Sequence, residues 1–252
     1  MNPIKVVFLG SRGPTAGDDD MPGVLISYGK HLVLIDASEG IQKRIAIAGY
    51  SIVKVSKILI THLHGDHVLG LIPLLQSMSL SGVKGDVDVV GPPGISSYLD
   101  ANFNKLFFKP SFNLRVKEVL NECFKLAHGI VACAFPLDHG IPTVAFNINI
   151  NGKSIAYVSD TKPSYDYMHY LESPDLLIHD AAFSSELRSL AIKYGHSTAR
   201  DAAEIAAKSN AKLLILYHIS PRYRNVDTLL NEARAIFRNT YVAEKFLKVL
   251  IK

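Results

Sequence analysis

The chain has 252 residues, of which 48% are hydrophobic and 20% are charged. A charged share below the ~25% usual for soluble domains predicts an extensive buried core and excludes a disordered chain. The longest apolar run, Val68 to Leu75, is shorter than the ~18 residues that a membrane helix needs. We see no signal peptide, so we expect a cytoplasmic protein in which Cys123 and Cys133 are free, buried thiols.

The net charge of +4 is unevenly distributed along the chain. Residues 1–185 carry 15 Lys/Arg and 17 Asp/Glu, whereas residues 186–252 carry 12 and 6. The basic C-terminal quarter is typical either of a site for a phosphate-bearing ligand or of a solvated helix face. Charge alone does not choose between them.

Hydrophobic patterning predicts alternating strands and helices. In the first part we expect strands at Ile4–Leu9, Val24–Tyr28, Leu32–Ile35 and Lys57–Thr61, and a helix from Glu39 to Ala48. In the middle we expect strands at Val87–Val90, Leu114–Glu118 and Ile130–Phe135, a helix from Ile95 to Leu106, and a hairpin of Val144–Ile150 and Ser154–Ser159 around Asn151-Gly152. In the last third we expect strands at Leu176–Ile178 and Leu213–Tyr217, and helices at Ser184–Lys193, Thr198–Lys208 and Thr228–Phe237. A strand-like tail, FLKVLI, follows.

The order of these elements predicts an α/β fold with two stacked sheets between helical layers, a four-layer αββα sandwich. The sequence contains no internal repeat, linker or low-complexity tract. We therefore expect residues 1–252 to form a single domain.

Five of the apolar strands end in His or Asp, where a structural strand would normally end in a turn residue. These polar ends are His62, Asp138-His139, Asp160, His179-Asp180 and His218. Side chains at strand ends converge at one edge of a layered sheet, which is where sites in such folds collect.

The densest cluster is His62-x-His64-x-Asp66-His67, between a buried strand and an apolar segment. Imidazole and carboxylate groups without thiolate suit Zn²⁺, with Mn²⁺ or Fe²⁺ as alternatives. With the later polar ends the cluster supplies enough ligands for two adjacent metal ions, which can hold a hydroxide and polarise a phosphoester. The seven candidate ligands are His62, His64, Asp66, His67, His139, Asp160 and His218.

The segment THLHGDHVLGL at 61–71 resembles the signature of the metallo-β-lactamase superfamily. Further segments resemble ribonuclease Z in order along nearly the whole chain: FLGS, DASEGIQ at 36–42, LDHG at 137–140, SDT at 159–161, HDAAF at 179–183, GHSTARDAA at 195–203 and YHISPRY at 217–223. The resemblance implies an αββα hydrolase with two zinc ions, and family members are often homodimers.

The resemblance also implies a role for each candidate residue. His62, His64 and His139 would bind one zinc ion, Asp66, His67 and His218 would bind the other, and Asp160 would bridge them. Asp66 would hold the attacking water.

Proton transfer would fall to His196. An unligated histidine near the metals is a natural proton donor to the leaving oxygen, and Asp180 is placed to orient it. Arg222 and Arg224 follow a ligand closely and are candidates for binding a substrate phosphate, although solvent-facing arginines are as common at such positions.

The sequence departs from ribonuclease Z at one important place. Many members insert a long arm that grips tRNA between the ligands that match His139 and Asp160, and here the predicted plain hairpin fills that interval. The acidic run Asp18-Asp19-Asp20 lies in a loop that faces the site in the family, and it would repel an RNA backbone.

Three functions therefore stay open. The first is a phosphodiesterase that acts on RNA or tRNA 3′ ends. The second is an arm-less enzyme for a small substrate, either a cyclic phosphate, a nucleotide diester or a sulfate ester. The third is a non-catalytic metal-binding scaffold, which the complete ligand set disfavours.

Overall fold

Two seven-stranded sheets face each other in this computed structural model, which describes residues 3–15 and 20–252. In spatial order, sheet 1 contains β14 (Lys248–Ile251), β1 (Ile4–Gly10), β2 (Gly23–Tyr28), β3 (His31–Ile35), β4 (Val55–Leu59), β5 (Asp86–Gly91) and β6 (Asn113–Glu118). Sheet 2 contains β13 (Thr240–Val242), β12 (Leu214–Tyr217), β11 (Leu176–Asp180), β10 (Lys153–Val158), β9 (Pro142–Ile150), β8 (Ile130–Asp138) and β7 (Glu122–Ala127).

Most of the helices cover the outer faces of the sheets. They are α1 (Ile41–Ile47), α2 (Gly65–Val68), α3 (Leu71–Leu80), α4 (Ile95–Leu106), α5 (Arg188–Tyr194), α6 (Ala199–Lys208) and α7 (Asp227–Arg234). Short 3₁₀ turns lie at Ile52–Lys54, Met168–Tyr170 and Ser185–Leu187. Within the described ranges, no helix is long and apolar enough to cross a membrane.

Side-chain alternation along the strands builds three buried apolar layers. In β1, Val6 and Phe8 point into the space between the sheets, whereas Val7 and Leu9 pack under α1 and α3. On the far side of sheet 2, alanines such as Ala203 let α6 approach the strands closely. These layers confirm the predicted αββα sandwich. Strand β14 returns to pair with β1, which favours the predicted single domain.

Most predicted elements are present within a few residues, including the hairpin. Asn151 and Gly152 form its two-residue turn with φ of 50° and 87°, the positive values that this turn requires. Strands β7 and β13 were not predicted, because half of the residues of β7 are exposed, without a clear apolar pattern, and β13 has only three residues. The helix predicted at Ser184–Lys193 begins as a 3₁₀ turn and becomes α-helical at Arg188.

The prediction of free, buried cysteines is wrong. Cys123 and Cys133 form a disulfide, with their Cα atoms 3.9 Å apart. The cause is the unpredicted strand β7, whose antiparallel pairing with β8 places these two residues directly opposite each other. Cys123 is exposed and Cys133 is half-buried, at the edge of sheet 2.

Candidate metal centre and active site

Sheet 1 contributes one short segment to the site, immediately after β4. His62 is fully buried in the extended stretch that leaves the strand, and His64 precedes the single turn of α2. That turn carries Asp66 and His67 on successive positions, both of them buried. One loop and one helical turn therefore present four polar side chains from the same sheet edge.

Sheet 2 contributes three residues from three different strands. His139 follows β8, Asp160 lies two residues after β10, and His218 follows β12. His218 has a positive φ of 57°, which is uncommon for a residue other than glycine, at the point where the chain leaves the strand. All three side chains are buried.

The residues from the two sheets meet in two groups. In the first group, His62, His64, His139 and Asp160 each offer one ligand atom, and these atoms lie within 4.8 Å of one another. Nε2 of His139 is 3.0 Å from Nδ1 of His64 and 3.5 Å from Oδ2 of Asp160. This spacing suits atoms that share one central ion.

The second group consists of Asp66, His67 and His218, again with ligand atoms within 4.8 Å. Oδ2 of Asp66 is 3.1 Å from Nε2 of His218 and 3.5 Å from Nε2 of His67. Asp160 contacts this group too, because its Oδ1 is 3.5 Å from Nε2 of His67. The Asp160 carboxylate therefore lies between the two groups, and all seven predicted ligands are brought together.

The chemistry of this cluster fits divalent metal ions. Nε2 of His62 and Nε2 of His67 are buried and have no hydrogen-bond partner. The centres of the two rings lie 4.1 Å apart, and burying two imidazole nitrogens without partners is costly unless cations bind them. Burial lowers the pKa of His62 well below its usual value, which keeps its nitrogen in the neutral form that binds metals.

A buried carboxylate, Asp36, supports the second group from behind. His67 donates its Nδ1–H to Oδ2 of Asp36 at 2.8 Å, and the Thr61 N–H donates to Oδ1 at 2.8 Å. From sheet 2, the hydroxyl of Tyr157 donates to the same carboxylate at 3.0 Å. A carboxylate that holds the far nitrogen fixes the ring orientation and leaves Nε2 free for a metal.

Two residues in this surrounding shell were missed at the sequence level. In the sequence, Asp36 was noted only as the first residue of the segment DASEGIQ. Its position directly after β3 resembles that of the other polar residues at strand ends, which were predicted as ligands. Gly13 passes over His218, and a Cβ added to it would lie 2.0 Å from Nε2 of that ring. No local signal marks such a close approach between residues 205 positions apart.

His196 lies beside the cluster, held by Asp180. It donates its Nδ1–H to Oδ2 of Asp180 at 3.0 Å, and the Ser197 N–H donates to the same oxygen at 3.0 Å. Burial alone would lower the pKa of His196, but the Asp180 carboxylate, with a smaller contribution from Asp160, outweighs it and raises the pKa to about 9. The imidazole is therefore protonated at neutral pH.

The start of α6 holds this histidine in place. Thr198 is the N-cap of this helix, and its hydroxyl accepts from the Asp201 N–H while the Asp201 carboxylate accepts from the Thr198 N–H. The carbonyl of Gly195, on the other side of His196, accepts the Nδ1–H of His139 at 2.7 Å. The segment 195–198 thus connects a candidate ligand with the candidate proton donor through fixed backbone.

A cavity of about 840 Å³ opens onto the cluster. Its lining includes His64, Asp66, His196 and Arg222. The Arg222 guanidinium lies 4.8 Å from the centre of the Phe183 ring, and its Nε–H donates to Ser220. Arg224 is exposed and does not line this cavity. Of the predicted acidic run, Asp18 and Asp19 lie outside the described residues, and Asp20 pairs with Lys245 at 3.2 Å.

Comparisons with known proteins agree with this geometry. Residues 31–219 match the family model described as beta-lactamase superfamily domain. A ribonuclease Z from Picrophilus torridus is 31% identical, over 97% of this chain and 94% of its own. The crystal structure of the short form of human tRNase Z superimposes with a TM-score of 0.85 at 26% identity, covering 97% of this chain and 98% of that one.

A third comparison concerns the fold alone. The metallo-beta-lactamase fold protein YhfI from Bacillus subtilis has a TM-score of 0.86 at 20% identity, with full coverage of both chains.

The family model and the Picrophilus torridus relative together show that the chain belongs to the beta-lactamase superfamily and, within it, to the ribonuclease Z family. It is a metal-dependent hydrolase with a site for divalent metal.

Proposed function

We propose that this protein is a two-zinc phosphodiesterase that cleaves RNA at the 3′ end, as in the processing of tRNA precursors. The observation that supports this most directly is the convergence of seven ligand side chains and His196 in a chain whose full length matches proteins named ribonuclease Z. Cytoplasmic location and a homodimer belong to the same proposal.

The two groups of ligands would hold one ion each. His62, His64 and His139 would bind the first ion, and Asp66, His67 and His218 would bind the second, with Asp160 shared. Imidazole and carboxylate donors without thiolate suit zinc, and they also accept Mn²⁺ or Fe²⁺. Bound at this position, the metals would supply a hydroxide at neutral pH and polarise the phosphate.

The residues of the chain do the rest of the chemistry. Asp66, which lines the cavity, would hold the attacking water in line with the phosphorus atom. Protonated His196 would donate its Nε2 proton to the leaving 3′ oxygen, while Asp180 holds Nδ1. Arg222 would contact the phosphate from the cavity wall with its guanidinium.

One observation favours a second candidate function. The alignment with a ribonuclease Z from Ignicoccus hospitalis covers 100% of this chain and spans 298 positions, whereas the chain has 252 residues. The relative therefore contains segments that this chain lacks. Between His139 and Asp160 the structure has only the β9–β10 hairpin, closed by its two-residue turn. An enzyme without an arm at this place is suited to small substrates such as a cyclic phosphate, a nucleotide diester or a sulfate ester.

Substrate comparison tests these alternatives. Zinc-loaded protein should cleave a 3′-extended tRNA and leave a 3′-hydroxyl, and it should also hydrolyse bis-p-nitrophenyl phosphate. Hydrolysis of the small ester with an intact tRNA would select the second candidate, and hydrolysis of p-nitrophenyl sulfate would identify a sulfatase. The variants Asp66→Ala and His196→Ala, with thermal unfolding as the check on folding, should lose the cleavage of tRNA. If both variants retain it, the assignment of the site is wrong.

A further inference from the structure

Two aromatic side chains line the catalytic cavity, and they differ in how they are covered. Phe183 is 4% exposed, and the guanidinium of Arg222 lies above its ring. Tyr194 is 55% exposed at the cavity wall. Among residues 3–15 and 20–252, no ring stacks on Tyr194 and no hydrogen bond engages its hydroxyl.

The backbone around Tyr194 is fixed relative to the metal ligands. Tyr194 ends α5, and the next residue, Gly195, has a φ of 78° and holds His139 through its carbonyl. A Cβ on Gly195 would lie 2.7 Å from Nδ1 of His139, so this contact requires glycine. The His196 N–H donates to the carbonyl of Ala191 at 2.9 Å, which closes the helix end. An aromatic ring is therefore presented from a rigid position.

The backbone that carries this ring lies close to the candidate proton donor. Two virtual bonds separate the Cα of Tyr194 from that of His196, so these atoms are at most about 7.6 Å apart. Tyr194 and His196 also line the same cavity, so a group attached to a phosphate bound there would share that cavity with the ring. Lys193 adds a positive charge there, with its Nζ 6.0 Å from the centre of the Tyr194 ring.

We propose that Tyr194 is a stacking platform for a nucleobase next to the scissile phosphate, so that the substrate is a nucleotide ester, whether in RNA or in a small diester. The proposal rests on the proposed phosphodiesterase function and narrows its substrate class. An exposed ring beside a basic side chain is the arrangement that binds single-stranded nucleic acid, because every base has a π face. A phosphorylated sugar without a base would gain nothing from this ring.

Calorimetric titration of the zinc-loaded protein tests the proposal without relying on turnover. The probes are thymidine 5′-monophosphate, thymidine 3′-monophosphate and 2-deoxyribose 5-phosphate, which lacks the base. Stacking on one aromatic ring predicts that at least one nucleotide binds about 5- to 150-fold more tightly than the sugar phosphate. The nucleotide that binds more tightly identifies the side of the phosphate on which the base lies.

Variants then assign the preference to the ring. Tyr194→Leu should bring the ratio of the dissociation constant of the sugar phosphate to that of the tighter nucleotide close to one. Tyr194→Phe should retain the wild-type ratio, because stacking does not need the hydroxyl. Tyr241→Leu serves as the control, because this tyrosine is 52% exposed on β13 and does not line the cavity. It should leave the ratio unchanged.

The outcomes separate this proposal from the one on which it rests. A wild-type protein with no preference for nucleotides overturns the platform, as does a preference that survives in Tyr194→Leu. Equal loss in Tyr194→Phe and Tyr194→Leu would assign the effect to the hydroxyl and also overturn stacking. A clear, Tyr194-dependent preference in a protein that hydrolyses no phosphodiester would instead retain the platform and reject the proposed function.

Discussion

Replacing Asp180 by Asn removes the negative charge beside the proposed proton donor. Asp180 is fully buried at the end of β11, and its Oδ2 accepts N–H groups from His196, Ser197 and Thr161. Asn has nearly the same volume and keeps one acceptor oxygen. The substitution therefore removes the negative charge with little change in packing.

The size of the effect follows from the pKa of His196. The carboxylate raises this pKa from 6.5 to about 9, against the opposing effect of burial. Without the charge, burial, which is the largest single effect, outweighs the remaining attraction of Asp160, and we expect the pKa to fall below 6.5. The change exceeds about two pKa units, or about 3 kcal/mol. At pH 7.5 the protonated fraction of His196 would then fall from nearly all of the molecules to less than about one tenth.

The rate of cleavage should follow this fraction only when the leaving group needs a proton. For the 3′ oxygen of an RNA, we expect Asp180→Asn to reduce kcat by about 10- to 100-fold at pH 7.5, and the loss should become smaller at lower pH. For bis-p-nitrophenyl phosphate the loss should be much smaller, because p-nitrophenolate leaves without a proton. Single-turnover rates from pH 5.5 to 9.5 with both substrates give the comparison.

The control is Asp175→Asn, which removes a carboxylate beside the opposite end of the same strand. It should change neither the ratio of the two rates nor the pH profile. Equal losses on both substrates in Asp180→Asn would refute the reasoning, because His196 would then not be protonating the leaving oxygen.

Three other predictions concern metal, pH and the disulfide. Elemental analysis should find about two zinc ions per chain, and Asp160→Ala should reduce the occupancy of both sites, because its carboxylate contacts both groups of ligands. Asp175→Asn should reduce the free energy of unfolding by about 2 kcal/mol at pH 7, measured in urea, because Asp175 accepts hydrogen bonds from Lys212 and the Ser154 N–H. Replacing Cys123 and Cys133 together by Ser should reduce the free energy of unfolding by about 2 kcal/mol without reductant, since the disulfide closes a loop of 10 residues.

The pH dependence of the Asp175 effect has a definite sign. Burial alone would raise the pKa of Asp175, but the hydrogen bonds from Lys212 and Ser154 outweigh it and lower the pKa below 3.8. A carboxyl with a lowered pKa in the folded state stabilises the fold above about pH 4, and this contribution is lost as the pH falls through the folded value. The wild type and Asp175→Asn should therefore converge in stability towards pH 2. A constant difference would contradict the ion-pair explanation.

The other two predictions have equally clear negative outcomes. Full zinc occupancy of one site in Asp160→Ala would show that the carboxylate does not bridge. Two titratable thiols in the unreduced, denatured protein would contradict the disulfide.

The sequence determined the architecture and the ligand set because both depend on local patterns. Alternating apolar residues define the strands, and a side chain just after a strand must lie at the edge of the sheet where that strand ends. Asp138-His139, Asp160 and His218 could be recognised in this way without knowing which strands are neighbours. The N-cap at Thr198 and the Asn151-Gly152 turn are likewise local, since each depends on a few adjacent residues.

The tertiary structure alone decided the contacts between distant segments. Cys123 and Cys133 are opposite each other only because β7 pairs with β8 in one register. The apolar pattern of β7 is too weak to predict this strand from the sequence. Asp36 reaches His67 across 31 positions, and the structure shows Tyr194 at the cavity wall and Arg224 outside it. Spacing along a chain cannot supply such information, because long-range packing sets how the two sheets face each other.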